Sequence, residues 1–167
     1  MKMPTWYMET IMLSREGAIR DIFEKHGDKA VYVCPTGYIS RAVFSIFPKN
    51  QNIFYMQGSM GLSPGIGLGI SFFTKKEVVV LSGDASLLMH LGITHTLRDN
   101  NKTNLFFYVL DNGCHESVGR QTCSSLESKY CSVDKIYKIS CDGKTDRVGV
   151  SFFENANTVK KILEDGE

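Results

Sequence analysis

Nothing in this chain approaches the roughly 20 consecutive apolar residues that a membrane-spanning helix needs. Neither sign of charge prevails either: 19 basic residues against 18 acidic ones leave a net charge of +1. The first absence argues against a helical membrane span. The second removes any global electrostatic case for binding nucleic acid or an anionic membrane surface. The five cysteines, Cys34, Cys114, Cys123, Cys131 and Cys141, include no C-x-x-C pair. That spacing speaks against a zinc or iron–sulfur site and predicts reduced thiols in a cytoplasmic protein. No G-x-G-x-x-G turn follows the first apolar strand, which sets aside a plain nucleotide-binding domain of that type. No repeat, linker or low-complexity segment breaks the chain. The first eight residues carry one positive charge, no sustained apolar core and no small-residue cleavage site, so no secretory signal is expected. What remains is ordinary for a globular protein: 167 residues, 43% hydrophobic and 22% charged, enough for one domain with a real core.

The most informative stretch runs from Val78 to Arg120. Val78-Val79-Val80-Leu81 is the apolar, β-branched run of a buried parallel strand. Ser82-Gly83-Asp84-Ala85 ends it. Ser86 to Arg98 reads as one helix, with Leu87, Leu88, Leu91, Thr94 and His95 at spacings of three and four. Asp99-Asn100-Asn101 stops it, Leu105 to Leu110 forms the next buried strand, and Asp111-Asn112-Gly113 ends that one. Two parallel strands joined by a crossover helix point the same way, and neighbours lie about 4.8 Å apart. Asp84 and Asn112 therefore project from adjacent strand ends at one rim, where open α/β sheets bind ligands. One carboxylate and one amide oxygen suit Mg²⁺, which takes its other ligands from waters and substrate phosphates. The turn after Gly83 opens a helix whose free N–H groups attract anions.

Gly83-Asp84-Ala85, followed after 26 intervening residues by Asn112, resembles the diphosphate-binding motif of thiamine-diphosphate enzymes. The resemblance implies that Asp84, Asn112 and the main-chain carbonyl of Cys114 hold Mg²⁺ against the diphosphate. It also implies that Gly83, Ala85, Ser86 and Gly113 line the cofactor. The run from Asn112 to Thr122 resembles phosphonopyruvate decarboxylase, with sulfopyruvate decarboxylase β subunits as near relatives. Two positions depart from the pattern. Ala85 stands where Gly is commoner, and Arg120 stands where these decarboxylases usually carry a second Gly.

Elsewhere, Thr5 to His26 reads as an amphipathic helix with Arg15, Glu16, Arg20, Asp21, Glu24 and Lys25 on its polar side. Gly17 weakens its middle, and Gly27-Asp28 stops it. Ala30 to Cys34 is the first strand. Pro35-Thr36-Gly37-Tyr38 turns into a short helix, Ser40 to Phe47. On residue type alone Thr36 and Gly37 form a helix cap; the family resemblance makes them diphosphate contacts. Arg41 is a candidate for approaching an anionic substrate. Asn52 to Met56 is the second strand. The Gly58-Ser59-Met60-Gly61 loop after it resembles the family's aminopyrimidine-holding loop. There the Gly58 carbonyl and Met60 N–H would bond the ring, and the Met60 side chain would wedge between the cofactor's two rings and force its bent shape. Leu62 replaces a His common in the phosphonopyruvate branch. His90 and His95 read as surface or hydrogen-bonded histidines. His115 is a candidate for proton transfer or substrate contact. Glu116 is a candidate for the same role or an exposed loop residue, and Arg120 is a second candidate for the substrate anion. Ile136 to Ser140 is a fifth strand, and Glu154 to Leu163 a final helix with Ala156, Val159, Ile162 and Leu163 inward.

The expected fold is α/β, a three-layer, doubly wound, mainly parallel sheet of the thiamine-diphosphate-binding type. One domain fills residues 1–167, and it lacks the family's last edge strand. The implied activity is decarboxylation of a small anionic 2-oxo acid, phosphonopyruvate first and sulfopyruvate second, with thiamine diphosphate and Mg²⁺. The family's essential Glu lies on a separate pyrimidine-binding domain that does not fit here. A second chain or domain in a hetero- or homo-oligomer is therefore expected. The competing reading is a non-catalytic module that binds the cofactor or regulates a partner.

Overall fold

The computed structural model describes residues 12–124, 126 and 132–164. The predicted first helix lies partly outside them, since residues 1–11 are not described. Within them it starts late, as α1 (Arg15–His26), because Ser14 caps it: the Ser14 hydroxyl accepts the Gly17 N–H at 2.9 Å. Gly17 thus sits in the first turn, where its low helix propensity costs little. Gly27 closes the helix at a φ of 70°.

After α1 come β1 (Val31–Cys34), α2 (Tyr38–Ile46), β2 (Ile53–Tyr55), α3 (Ser63–Ser71) and β3 (Val78–Gly83). Next are α4 (Asp84–Met89), α5 (Ile93–Asn100) and β4 (Leu105–Asp111). A two-residue hairpin pair, β5 (Cys114–His115) and β6 (Gln121–Thr122), precedes β7 (Lys135–Lys138) and α6 (Phe152–Glu164). Among the described residues the main sheet has five strands in the order β2-β1-β3-β4-β7, all parallel. The central strands are buried along nearly their whole length because helices cover both faces. On one face α1 and α2 pack Ile19, Ile22, Phe23 and Val43 against Tyr32, Leu81, Tyr108 and Leu110. On the other, α3, α4 and α5 pack Leu68, Leu87 and Leu97 against Val33, Val80, Phe107 and Val109. This is the expected three-layer α/β architecture.

Two predicted elements differ. The helix expected over 86–98 is broken into α4 and α5. Between them His90 to His95 are held by i→i+3 bonds, and the Thr94 hydroxyl bonds the Leu91 carbonyl at 2.7 Å. Gly92 in this segment disfavours a continuous helix. The last helix begins at Phe152 through a capping box, in which Ser151 and Glu154 exchange side-chain bonds with each other's backbone N–H. Its buried face carries Asn155 and Val159. Asn155 reaches the outer edge of β2, accepting the Tyr55 N–H at 2.8 Å and donating to the Ile53 carbonyl at 2.7 Å. At the far side, Leu13 pairs with Ile139 just past β7. No helix among the described residues is long and apolar enough to cross a membrane.

Candidate active site

The β3 and β4 registers align Gly83 with Leu110. Asp84 and Asn112 thus leave adjacent strand ends at the same rim, as two parallel strands with one crossover require. The α2 N-terminus and the loop before α3 close on this rim. Together they form a cleft of about 70 Å³. Of the residues predicted from sequence, it brings together Thr36, Gly37, Met60, Gly83, Asp84, Ala85, Ser86, Asn112, Cys114, His115 and Glu116. Gly58, Ser59 and Gly113 are exposed beside it rather than lining it.

Local backbone explains the convergence. The turn at Gly61 has a φ of 93°, and a Cβ there would come within 2.7 Å of the Ser86 carbonyl. A residue without a side chain lets this loop lie flat on α4, which carries Met60 into the cleft. At α2 no side chain caps the first N–H groups. The cap role open to Thr36 is not taken, and its side chain lines the cleft instead.

Asp84 is 3% exposed. One of its carboxylate oxygens accepts the Gly113 N–H at 2.9 Å and the Cys123 thiol at 2.8 Å. No basic side chain among the described residues pairs with it. Burial pushes its carboxyl above the ordinary value, against the lowering effect of the Cys123 hydrogen bond. Ser86 is buried too, and its hydroxyl has no partner among the described residues. Nearby, Asp111 is neutralised by Lys138. The Asn112 side chain is oriented at both ends, its oxygen accepting the Cys114 N–H at 3.2 Å and its nitrogen donating to Glu116 at 2.9 Å. This donor set of buried carboxylate, amide oxygen, orphan hydroxyl and uncapped N–H groups suits a hard cation carrying a phosphorylated ligand.

Glu116 is not an exposed loop residue. Its side chain is 5% exposed and forms an ion pair at 2.5 Å with Arg15, itself 3% exposed. It also accepts the Gly143 N–H at 2.8 Å. Arg15 was expected on the polar side of its helix; the structure turns it inward, stacked at 5.5 Å over Tyr38. A first-turn residue whose helix end abuts the rim escapes helical periodicity, and no signal in the sequence singles it out. Cys123 was likewise missed. It arrives because the β5–β6 hairpin folds the chain back, with its own N–H on the Gly113 carbonyl at 3.0 Å.

The two basic candidates for the substrate do not line the cleft but contact residues that do. Arg41 stacks over Tyr38 at 5.1 Å and reaches the Thr145 carbonyl at 3.5 Å. Arg120 is 60% exposed, with its nearest acidic oxygen, on Glu116, at 3.9 Å. Its backbone φ of 58° is left-handed, a conformation that favours glycine. His115 stands in the cleft on β5. His90 packs beside Gly61, and His95 bonds Arg98 at the surface.

A family model described as thiamine pyrophosphate enzyme, C-terminal TPP binding domain, matches residues 34–165. The chain belongs to this family. The match takes in all the cleft residues named above except Arg15. Among individual members, the chain is 33% identical over 153 residues to a sulfopyruvate decarboxylase subunit beta of Methanococcus maripaludis, covering 88% of this chain and 82% of that one. It is 40% identical over 111 residues to a sulfopyruvate decarboxylase subunit beta of Methanothermobacter thermautotrophicus, covering 66% and 59%. A phosphonopyruvate decarboxylase of Streptomyces hygroscopicus is 37% identical over 108 residues, covering 65% of this chain but 27% of its own. All three relatives are named as decarboxylases, and the rim described here falls inside the part of this chain that the family model matches.

Proposed function

We propose that this chain is the diphosphate-binding half of a thiamine-diphosphate-dependent decarboxylase acting in the cytoplasm on a three-carbon anionic 2-oxo acid. The observation that carries the reading is the buried Asp84 carboxylate at the β3 end, without a basic partner among the described residues. A divalent cation is what such a group lacks. Asp84, Asn112 and the Cys114 carbonyl would hold Mg²⁺. The orphan Ser86 hydroxyl and the uncapped N–H groups of α2 beside Thr36 would take the diphosphate. Gly58, Ser59 and Met60 would meet the aminopyrimidine side of the cofactor. Bound thiamine diphosphate supplies the electron sink for loss of CO₂.

The protein's own side chains then divide the remaining work. Glu116 is held by Arg15, Asn112 and the Gly143 N–H; its role is to orient the Asn112 amide. His115 is left as the cleft group able to move a proton. A cleft of about 70 Å³ is far below the roughly 300–1,000 Å³ of a complete small-molecule site. That supports a second chain or domain closing over the rim.

Sulfopyruvate is favoured over phosphonopyruvate as the substrate. The supporting observation is how much of this chain aligns: 88% with a relative named as a sulfopyruvate decarboxylase subunit beta, against 65% with a phosphonopyruvate decarboxylase. Calorimetric titration of thiamine diphosphate with Mg²⁺ into the chain, alone and with a pyrimidine-domain partner, tests the reading. Binding that needs the partner and vanishes with Asp84→Ala is expected, followed by release of CO₂ from sulfopyruvate. Absence of binding in both settings would refute it.

A further inference from the structure

The thiol groups of Cys114 and Cys141 lie 3.3 Å apart. They are 27 residues apart in sequence and come from different elements, the rim hairpin and the segment after β7. Cys141 is exposed, and Cys114 is partly covered. Side-chain contacts already hold the two segments together: the Gly143 N–H donates to the Glu116 carboxylate at 2.8 Å, and the Cys141 thiol reaches the Asn112 carbonyl at 3.9 Å. A disulfide has sulfurs about 2.05 Å apart, so closing the bond needs a movement of only about 1.3 Å. Cys34, in contrast, is fully buried in β1, and the Cys123 thiol is engaged by Asp84.

We infer that Cys114 and Cys141 form a reversible dithiol–disulfide pair, a modification site whose oxidant is a hydroperoxide, and that the oxidised form binds metal and diphosphate more weakly. In the first step the Cys141 thiolate attacks the O–O bond. One oxygen becomes its sulfenic acid, and the other leaves as water or an alcohol. In the second, the Cys114 sulfur attacks the sulfenic sulfur, the S–S bond forms and water departs. Two thiols and one hydrogen peroxide thus give one disulfide and two waters, the thiols losing two electrons to the peroxide. The link pulls the turn that begins at Asn112 toward the segment at Cys141. That displaces the Cys114 carbonyl and the N–H on which the Asn112 oxygen rests. The pairing stands on the thiol geometry alone; the effect on affinity rests on the proposed function.

The test uses the full chain, fully reduced and then treated with one equivalent of hydrogen peroxide. Intact mass should fall by about 2 Da, and a non-reducing peptide map should join the Cys114 peptide to the Cys141 peptide. Cys141→Ser should abolish the link. A bond to any other cysteine, Cys131 included, or no loss of thiols would overturn the pairing. Thiamine diphosphate with Mg²⁺ is then titrated into the reduced and oxidised forms with the partner present. Affinity about tenfold lower on oxidation is expected, in line with disturbed outer-shell support of a metal. It should recover with dithiothreitol, and the Cys141→Ser chain should not respond to peroxide. Equal affinity in both forms would overturn the effect on binding. If the disulfide forms while neither form binds cofactor, the effect on affinity and the proposed function fail together and the modification site stands.

Discussion

Replacing Arg15 with Met would leave the Glu116 carboxylate, 5% exposed, without its ion-pair partner. Removing one member of a buried pair costs about 3–5 kcal/mol, because the other charge stays desolvated. Here two donors remain, the Asn112 amide at 2.9 Å and the Gly143 N–H at 2.8 Å. Arg120 is within 3.9 Å of Glu116 but 60% exposed, so solvent screens what it contributes. The lower end, about 3 kcal/mol, is therefore expected, a fall in melting temperature of about 6–12 °C for a chain of this size. Met keeps much of the apolar volume, so the loss reports charge more than packing. Thermal and urea unfolding followed by circular dichroism give the number. A second substitution makes the test selective. Glu116→Gln should destabilise the wild-type chain but recover at least about 1 kcal/mol in the Arg15→Met background, since it removes the stranded charge. A loss below about 1 kcal/mol for Arg15→Met, or a Glu116→Gln effect of equal size in both backgrounds, would refute the reasoning.

Asp84→Asn should stabilise the ligand-free chain at neutral pH while removing any thermal shift produced by Mg²⁺ and thiamine diphosphate. Burial raises the folded-state carboxyl, so the folded chain holds that proton more tightly than the unfolded one. Wild type therefore loses stability as pH rises through the folded value, and the advantage of Asn vanishes as pH falls below the ordinary 3.8; urea unfolding across pH reads both limits. In α3, Gly67→Ala would set a Cβ 2.1 Å from Val80 Cγ2. It should cost about 1–3 kcal/mol by urea unfolding despite Ala's better helix propensity. Gly69→Ala meets nothing within 4 Å and should gain up to about 1 kcal/mol. Asn155→Ala strands the Tyr55 N–H and the Ile53 carbonyl. It should cost about 2–5 kcal/mol, with faster hydrogen exchange at the Tyr55 amide as its local signature.

The rim was legible in the sequence because its makers are punctuated. A β-branched run stopped by Gly83-Asp84 and another stopped by Asp111-Asn112-Gly113 leave little freedom in where the strand ends fall. Parallel pairing then sets Asp84 and Asn112 side by side. The Gly58–Gly61 loop was legible by order along the chain, although its seat against Ser86 was not. Arg15 and Cys123 were hidden for different reasons. Helical periodicity assigns a face by rotation alone and is blind to what a helix end abuts, so a first-turn arginine beside the rim looked solvent-facing. Cys123 depends on a hairpin of two-residue strands, too short for alternation to register. The break between α4 and α5 was hidden because spacings of three and four survive a short tightened turn.

The bond pattern of Asn155 has a consequence for how copies of this chain can meet. A carboxamide presents one acceptor and one donor, the same pair a neighbouring strand offers, and it occupies the outer edge of β2. The segment at Leu13 does the same past the end of β7. Sheet-to-sheet extension, for which an unpaired strand edge is a template, is thereby blocked at these points. Growth of an assembly is steered toward the helical faces and the open rim, surfaces where side chains, and hence selectivity, decide who binds.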